Sequence, residues 1–87
     1  MASAAYMGRV HARLSKRLPI WVVYRPTTTD YSGQWLARMW LCLPKETSTR
    51  FIMLNDTLVG LRAMLPGGLE QMPRSPFDDL VIEEVWF

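Results

Sequence analysis

The 87-residue chain has few of the residues from which catalytic and metal sites are usually built. It contains one cysteine, Cys42, and one histidine, His11, so it forms no internal disulfide and offers no CxxC pair to a metal. A nucleophile pair of the two would require the N-terminal segment to fold onto a strand that is itself predicted to be buried. We therefore expect Cys42 to pack as a small buried hydrophobic side chain, in a protein of the reducing cytoplasm.

Phosphate loops and metal-binding motifs are also missing. The glycines at 67–68 end a predicted helix instead of opening one. Carboxylates are dense only at Asp78, Asp79, Glu83 and Glu84, and their spacing matches no EF-hand loop. We interpret these four as a solvated rim that balances nearby arginines. The sequence thus predicts no enzyme, no catalytic residue, no cofactor and no metal.

Long apolar segments are absent as well. The longest nearly unbroken apolar run, Trp35–Leu43, is too short to cross a bilayer, and no stretch has the pattern of a signal peptide. With 49% hydrophobic and 21% charged residues, the composition is that of an ordinary globular protein. We expect a cytoplasmic protein without a membrane partner.

The sequence does contain clear strand patterns in its first half. Alternate positions of Trp35–Leu43 give one apolar face and a second face that is apolar except for Arg38, as in a central strand. Ile20–Arg25 is rich in β-branched and aromatic residues, and the polar segment Pro26–Gln34 joins it to Trp35–Leu43. Residues 20–43 are therefore predicted to form an antiparallel hairpin.

The second half adds weaker strand signals and one helix. Residues 45–50 are predicted to be a polar loop, 51–54 a short edge strand, 69–79 a loop and 80–87 the final strand. The helix is predicted over 57–65.

Three leucines define the core-facing side of this predicted helix: Leu58, Leu61 and Leu65. Asn55 or Asp56 is expected to be its N-cap, and 66–68 ends it. Gly60 costs the helix up to about 1 kcal/mol relative to alanine.

Residues 1–18 are interpreted as a basic N-terminal arm that precedes a single domain over 19–87. Apolar residues recur in the arm at helical spacing: Met7, Val10, Leu14 and Leu18. Two alternatives stay open, a helix docked on the domain and a frayed, solvated tail. Met7 also offers an alternative start, which would make 1–6 an appendage.

The predicted fold class is α+β. We expect a small antiparallel or mixed sheet of three to four strands, with the hairpin 20–43, the final strand 80–87, one packed helix and the N-terminal helical arm. The four tryptophans and the apolar strand faces are more than one helix can cover. The second face of the sheet then needs the arm, a second copy or a foreign protein to cover it.

Charge is divided unevenly along the chain. Residues 1–45 carry a net charge of +6, and residues 46–87 carry −4. Either the two halves complement each other in the fold, or the basic half meets an acidic partner. The side chains that we expect to contact a partner are Arg9, Arg13, Arg17, Arg25, Arg38 and Trp40.

Five short stretches between residues 20 and 87 are VVYRP at 22–26, Asp56-x-Leu58, LRAMLPGGL at 61–69, Arg74-x-Pro76-x-Asp78-Asp79 and VIEEVWF at 81–87. In these stretches the chain resembles short uncharacterised proteins of phages and proteobacterial mobile elements. The resemblance implies a small accessory protein, in the size class of anti-CRISPR inhibitors. It carries over no functional residue.

Our functional hypothesis is a non-enzymatic binding protein, an anti-CRISPR-like phage or mobile-element inhibitor that occupies a surface of a larger protein or nucleoprotein complex. The alternative is a small nucleic-acid-binding module, although no helix-turn-helix, zinc-finger or RNP signature is present. In that module basic residues would contact phosphates, and aromatic side chains would stack on bases: Trp21, Tyr24, Trp35 or Trp40. A third possibility is a homodimer through the second sheet face.

Overall fold

The computed structural model describes residues 4–27, 31, 33–72 and 81–87. Their helices and strands are α1 Ala4–Arg13, a 3₁₀ turn Ser15–Arg17, β1 Pro19–Tyr24, β2 Trp35–Leu41, β3 Thr47–Asn55, α2 Leu58–Met64, β4 Gln71–Met72 and β5 Ile82–Trp86. The strands form one antiparallel sheet in the order β3-β2-β1-β5-β4. The predicted α+β class is thus confirmed.

The predicted hairpin is confirmed, with β1 and β2 paired from Pro19↔Leu41 to Tyr24↔Leu36. The second strand ends at Leu41, two residues earlier than predicted. Its continuation leaves the ladder because the Cys42 and Leu43 amides donate to the Arg17 carbonyl oxygen, at 3.0 and 3.1 Å. The 3₁₀ turn thereby fastens the end of β2.

The described residues form five strands, so the predicted count of three to four was wrong. The additional strand is β4, within a segment predicted to be a loop. It is defined by backbone pairing, since Glu70 and Phe87 exchange both amide–carbonyl hydrogen bonds, at 2.8 and 3.0 Å. A two-residue strand with exposed side chains carries no alternation that a sequence pattern could reveal. Residues 73–80 lie outside the described residues.

The edge strand β3 begins earlier than predicted. Residues 47–50 are strand and not loop, although their composition, Thr-Ser-Thr-Arg, is polar. The register shifts near this point, and the Thr49 hydroxyl donates to the Met39 carbonyl at 2.7 Å while it accepts from the Phe51 amide at 3.2 Å. A side chain therefore takes over backbone hydrogen bonds where the ladder is irregular.

Both α-helices pack on the same side of the sheet. The buried core contains Met7 and Val10 of α1, Leu61 of α2 and six strand residues: Trp21, Val23, Ala37, Met39, Leu41 and Met53. Of the two alternatives for the N-terminal segment, the structure contains the docked helix. Leu18 does not lie on one helical face with Met7, Val10 and Leu14, although this was predicted. It is 55% exposed because α1 ends at Arg13, and it has left-handed backbone angles (φ 51°).

The cap of α2 differs from the prediction. Thr57 is the N-cap, and its hydroxyl accepts from the Gly60 amide at 3.0 Å. Asn55 instead accepts from the Thr57 amide, at 3.1 Å, and its amide nitrogen lies 3.7 Å from the Met64 sulfur. A Cβ at Gly60 would lie 2.7 Å from Cγ of Asn55. Glycine is therefore required at position 60 because a Cβ would collide with the Asn55 side chain, and not because of its backbone angles.

We predict that Gly60→Ala lowers the free energy of unfolding by about 1 kcal/mol, although helix propensity alone favours alanine by a similar amount. The loss arises because Asn55 is held in place by its own hydrogen bonds. Urea denaturation measures the effect, with Val59→Ala, at a 75% exposed position of the same helix, as the control. A more stable Gly60→Ala protein would contradict the prediction.

The carboxylate of Glu84 is buried under α2. The residue is 5% exposed and accepts from Arg62 Nε and Trp86 Nε1, both at 3.0 Å, and from Arg62 Nη2. The Arg62 hydrogen bonds hold the pKa of Glu84 below its ordinary value of 4.5, although burial raises it. The solvated rim predicted for the carboxylates is thus wrong for Glu84. Its balance by a nearby arginine is confirmed.

We predict that Arg62→Met lowers the free energy of unfolding by about 2 kcal/mol, because it leaves the buried Glu84 carboxylate without its cation. The matched change Arg25→Met removes an arginine 2.7 Å from Glu83, where both side chains are partly exposed, and should cost less than about 1 kcal/mol. Thermal denaturation compares the two variants. Equal losses would mean that burial of Glu84 does not set the strength of its ion pair.

Candidate functional site

The candidate site is the sheet face opposite the two α-helices. By strand register it carries twelve side chains: Ile20, Val22, Tyr24, Leu36, Arg38, Trp40, Ser48, Ile52, Leu54, Met72, Ile82 and Val85. We call it the helix-free face. Val22 and Leu36 are buried at its centre, Ser48 and Met72 are exposed, and the other eight are partly exposed. Ten of the twelve side chains are apolar or aromatic, and Arg38 is the one charge among them.

The face concentrates two of the residues predicted to contact a partner. Arg38 and Trp40 are two positions apart on β2, so their side chains share the face. Trp40 donates its indole N–H to the Tyr24 hydroxyl at 3.2 Å. The Arg38 Nε is buried and has no hydrogen-bond partner among the described residues. A buried donor of this kind is costly to leave unsatisfied.

The other predicted contact residues lie elsewhere. Arg9 and Arg13 are exposed on α1, on the helical side of the sheet. Arg17 is exposed in the 3₁₀ turn, where its Nε donates to the Leu43 carbonyl at 3.0 Å. Arg25 forms an ion pair with Glu83. The six residues therefore do not form one surface.

The tryptophans are divided unequally between the two faces. Trp21 is fully buried in the core, and Trp35 and Trp86 pack against the same core. Trp40 alone lies on the helix-free face. Three of the four tryptophans thus belong to the core side of the sheet, which the helices cover. Trp21 offers no exposed ring for stacking on a base.

A groove of about 390 Å³ opens at the end of the sheet where β1 begins. Its apolar lining is Leu18, Pro19, Ile20, Met72 and Phe87, and its polar lining is His11, Ser15 and Cys42. Sequence reasoning missed this groove because its walls come from four separate segments, at residues 11–20, 42, 72 and 87. No local pattern signals it, since the exposure of Leu18 and Phe87 is evident only from the fold.

His11 and Cys42 both line the groove, although we expected them to lie apart. Cys42 is partly exposed, and so is not the buried side chain that we predicted. His11 Nδ1 accepts the Trp21 indole N–H at 3.1 Å, which leaves its Nε2 as a protonated donor. A ring in this tautomer has no free lone pair with which to take a proton from the thiol. Burial also lowers the pKa of His11 below its ordinary value of 6.5.

Other chemistry finds no support in the described part of the chain. No three His, Cys, Asp or Glu side chains of these residues come together as metal ligands. Asp78 and Asp79 lie outside the described residues. No described helix is long and apolar enough to cross a membrane.

Compared with known protein families, with curated proteins and with solved structures, the chain has no significant match.

We predict that the protein loses stability as the pH falls below about 6.5, because His11 takes up a proton more readily in the unfolded chain than in the folded one. Since the unfolded state binds more protons in this range, stability is fully present above pH 6.5 and declines toward the lowered pKa of the folded state. Thermal denaturation between pH 8 and pH 5 measures the decline.

The control is His11→Gln, which keeps an acceptor for the Trp21 indole but does not titrate in this range. Its melting temperature should change less between pH 7 and pH 5 than that of the natural protein. Parallel curves for the two proteins would show that another group causes the decline.

Proposed function

We propose that this protein is a non-enzymatic binding protein that occupies an acidic, partly apolar surface of a larger protein or nucleoprotein complex with its helix-free face. In this role it acts as an inhibitor of the anti-CRISPR-like kind, in keeping with the resemblance to phage and mobile-element proteins. The observation that carries the proposal is Arg38 in the middle of an apolar face, with a buried Nε that has no acceptor among the described residues.

The composition of the face supports a protein as the partner. Tryptophan, tyrosine and arginine are the residues enriched in the centres of protein interfaces, and Trp40, Tyr24 and Arg38 lie together here. Val22 lies opposite Arg38 in the register, so the guanidinium emerges from apolar surroundings. A carboxylate or carbonyl that reaches Arg38 there would be shielded from water, which strengthens the contact.

A nucleic acid would need several cations beside its exposed rings, and Arg38 is the one cation among the register positions of the helix-free face. The exposed arginines of α1 lie on the opposite side of the sheet from Trp40, and Trp21 is in the core. A symmetric dimer through the helix-free face would supply a second Arg38 where an acceptor is needed. Both alternatives are therefore weaker, and both are outcomes of the experiment below.

We predict that Arg38→Met abolishes partner binding while it leaves the free protein as stable or more stable. The substitution keeps most of the side-chain volume and removes an unsatisfied donor whose burial costs about 1–3 kcal/mol. A tagged protein is used for pull-down from bacterial lysate with and without nuclease, and captured proteins are quantified by mass spectrometry. We expect a discrete set that survives nuclease and falls at least tenfold with Arg38→Met.

The matched control is the double variant Arg9→Met and Arg13→Met, which removes the same type of charge from the helical side. It should retain the captured set. If the captured proteins were lost with the double variant and retained with Arg38→Met, the site would lie on α1. Loss of the captured material after nuclease treatment would favour a nucleic-acid partner. Recovery of the tagged protein alone, with twice its mass by light scattering, would favour a homodimer.

A further inference from the structure

We propose that the solvent side of α1 is a binding site for the phosphate backbone of double-stranded nucleic acid, which it contacts without regard to base sequence. Three cationic side chains form the site, Arg9, Arg13 and Lys16, and we call them the cationic strip. Since α1 packs on the core side of the sheet, the strip and the helix-free face lie on opposite sides of it. The inference does not depend on the proposed function.

The strip is a single row of cations on one side of the helix. Arg9 and Arg13 are four residues apart on α1, and Lys16 follows three residues later in the 3₁₀ turn. The turn continues the helix, because the Leu14 amide donates to the Val10 carbonyl oxygen at 3.1 Å. Side chains at these spacings share one helical face, so the row is about 10 Å long. All three cationic residues are exposed, whereas Val10 is buried in the core.

No ion pair among the described residues neutralises the strip. The first acidic residue of the sequence is Asp30, so α1 and β1 contain none. The ion pairs of the described chain are Arg25–Glu83 and Arg62–Glu84, and neither includes a residue of the strip. Like charges three and four residues apart destabilise a helix. A polyanion that neutralises them together would remove this cost.

The surroundings of the strip favour a phosphate backbone over a protein surface. Ala5 and Ala12 are exposed one turn before Arg9 and Lys16, so small side chains flank the cations. The centre of a protein interface is instead built from large apolar and aromatic side chains.

The shortage of rings favours a duplex over a single strand. Proteins that bind single strands stack successive bases on several aromatic side chains, and Tyr6 is the one tyrosine or tryptophan of α1. A duplex requires cations alone, because its phosphates are accessible while its bases stay stacked. It presents one charge per about 1.7 Å of its axis, so a row of about 10 Å can meet three phosphates.

The test is fluorescence anisotropy of a short labelled DNA duplex, titrated with the full chain at several salt concentrations. Three neutralised phosphates predict a slope of about −2.7 for the logarithm of the association constant against the logarithm of salt concentration. This slope corresponds to an about 40-fold loss of affinity between 50 and 200 mM salt. A duplex of unrelated sequence should bind equally well, because backbone contacts carry no sequence information.

Two double variants of equal net charge locate the site. Arg9→Gln with Arg13→Gln should weaken duplex binding at least tenfold at low salt and bring the slope to about −1. Glutamine is a good helix former, so α1 should persist. Lys45→Gln with Arg50→Gln removes two exposed cations from the other end of the basic half and from β3, and should leave the slope unchanged. Arg13→Lys, which keeps the charge, should also leave it unchanged.

Equal losses in the two double variants would overturn the proposal, because binding would then follow net charge alone. A slope near zero would overturn it, as would tighter binding of the single strand than of the duplex. Binding to vesicles of anionic lipid without binding to the duplex would assign the strip to a membrane surface instead. Arg38→Met should bind the duplex with an unchanged slope, and loss of duplex binding in this variant would place the nucleic acid on the helix-free face. Capture of proteins after nuclease treatment tests the proposed function separately.

Discussion

The hydrogen bond between Trp21 and His11 fixes the arrangement of the fold. Trp21 lies on the central strand and is fully buried, so its indole N–H must find an acceptor inside the protein. His11 supplies that acceptor from α1. Since Met7 lies one helical turn before His11, the register that satisfies Trp21 also places Met7 over the core. This hydrogen bond and the burial of Met7 thus favour the same docking of the N-terminal helix.

This docking decides what the sheet presents to the outside. With α1 and α2 both on the core side, the opposite face has no α-helix of the described chain on it, although its strands are as apolar as those of a covered sheet. The same docking ends α1 beside the start of β1, where the 3₁₀ turn Ser15–Arg17 fastens β2 and leaves the groove open. The helix-free face and the groove are therefore both consequences of helix placement.

The sequence predicts the elements whose side chains alternate or recur regularly, and little else. The hairpin 20–43 and the leucine face of α2 follow from periodicity alone. β4 could not be predicted because backbone pairing defines it, and the early start of β3 is hidden by polar residues that suit an irregular edge. At the site, alternation correctly places Arg38 and Trp40 on one face. The buried Arg38 Nε and the groove depend on contacts between distant segments, which no local pattern encodes.

Two of the described carboxylates are paired with arginines inside the fold. Within the described residues, Glu84 is committed to Arg62 and Glu83 to Arg25, both away from the middle of the helix-free face. The basic surplus of residues 1–45 is therefore only partly met by the acidic half of the chain. Arg38 lies among the apolar side chains of the helix-free face, and a charge in such a setting attracts an anion more strongly than one in open water. Of the two explanations for the charge asymmetry, internal complementarity accounts for Arg25, and the acidic partner that we propose would account for Arg38.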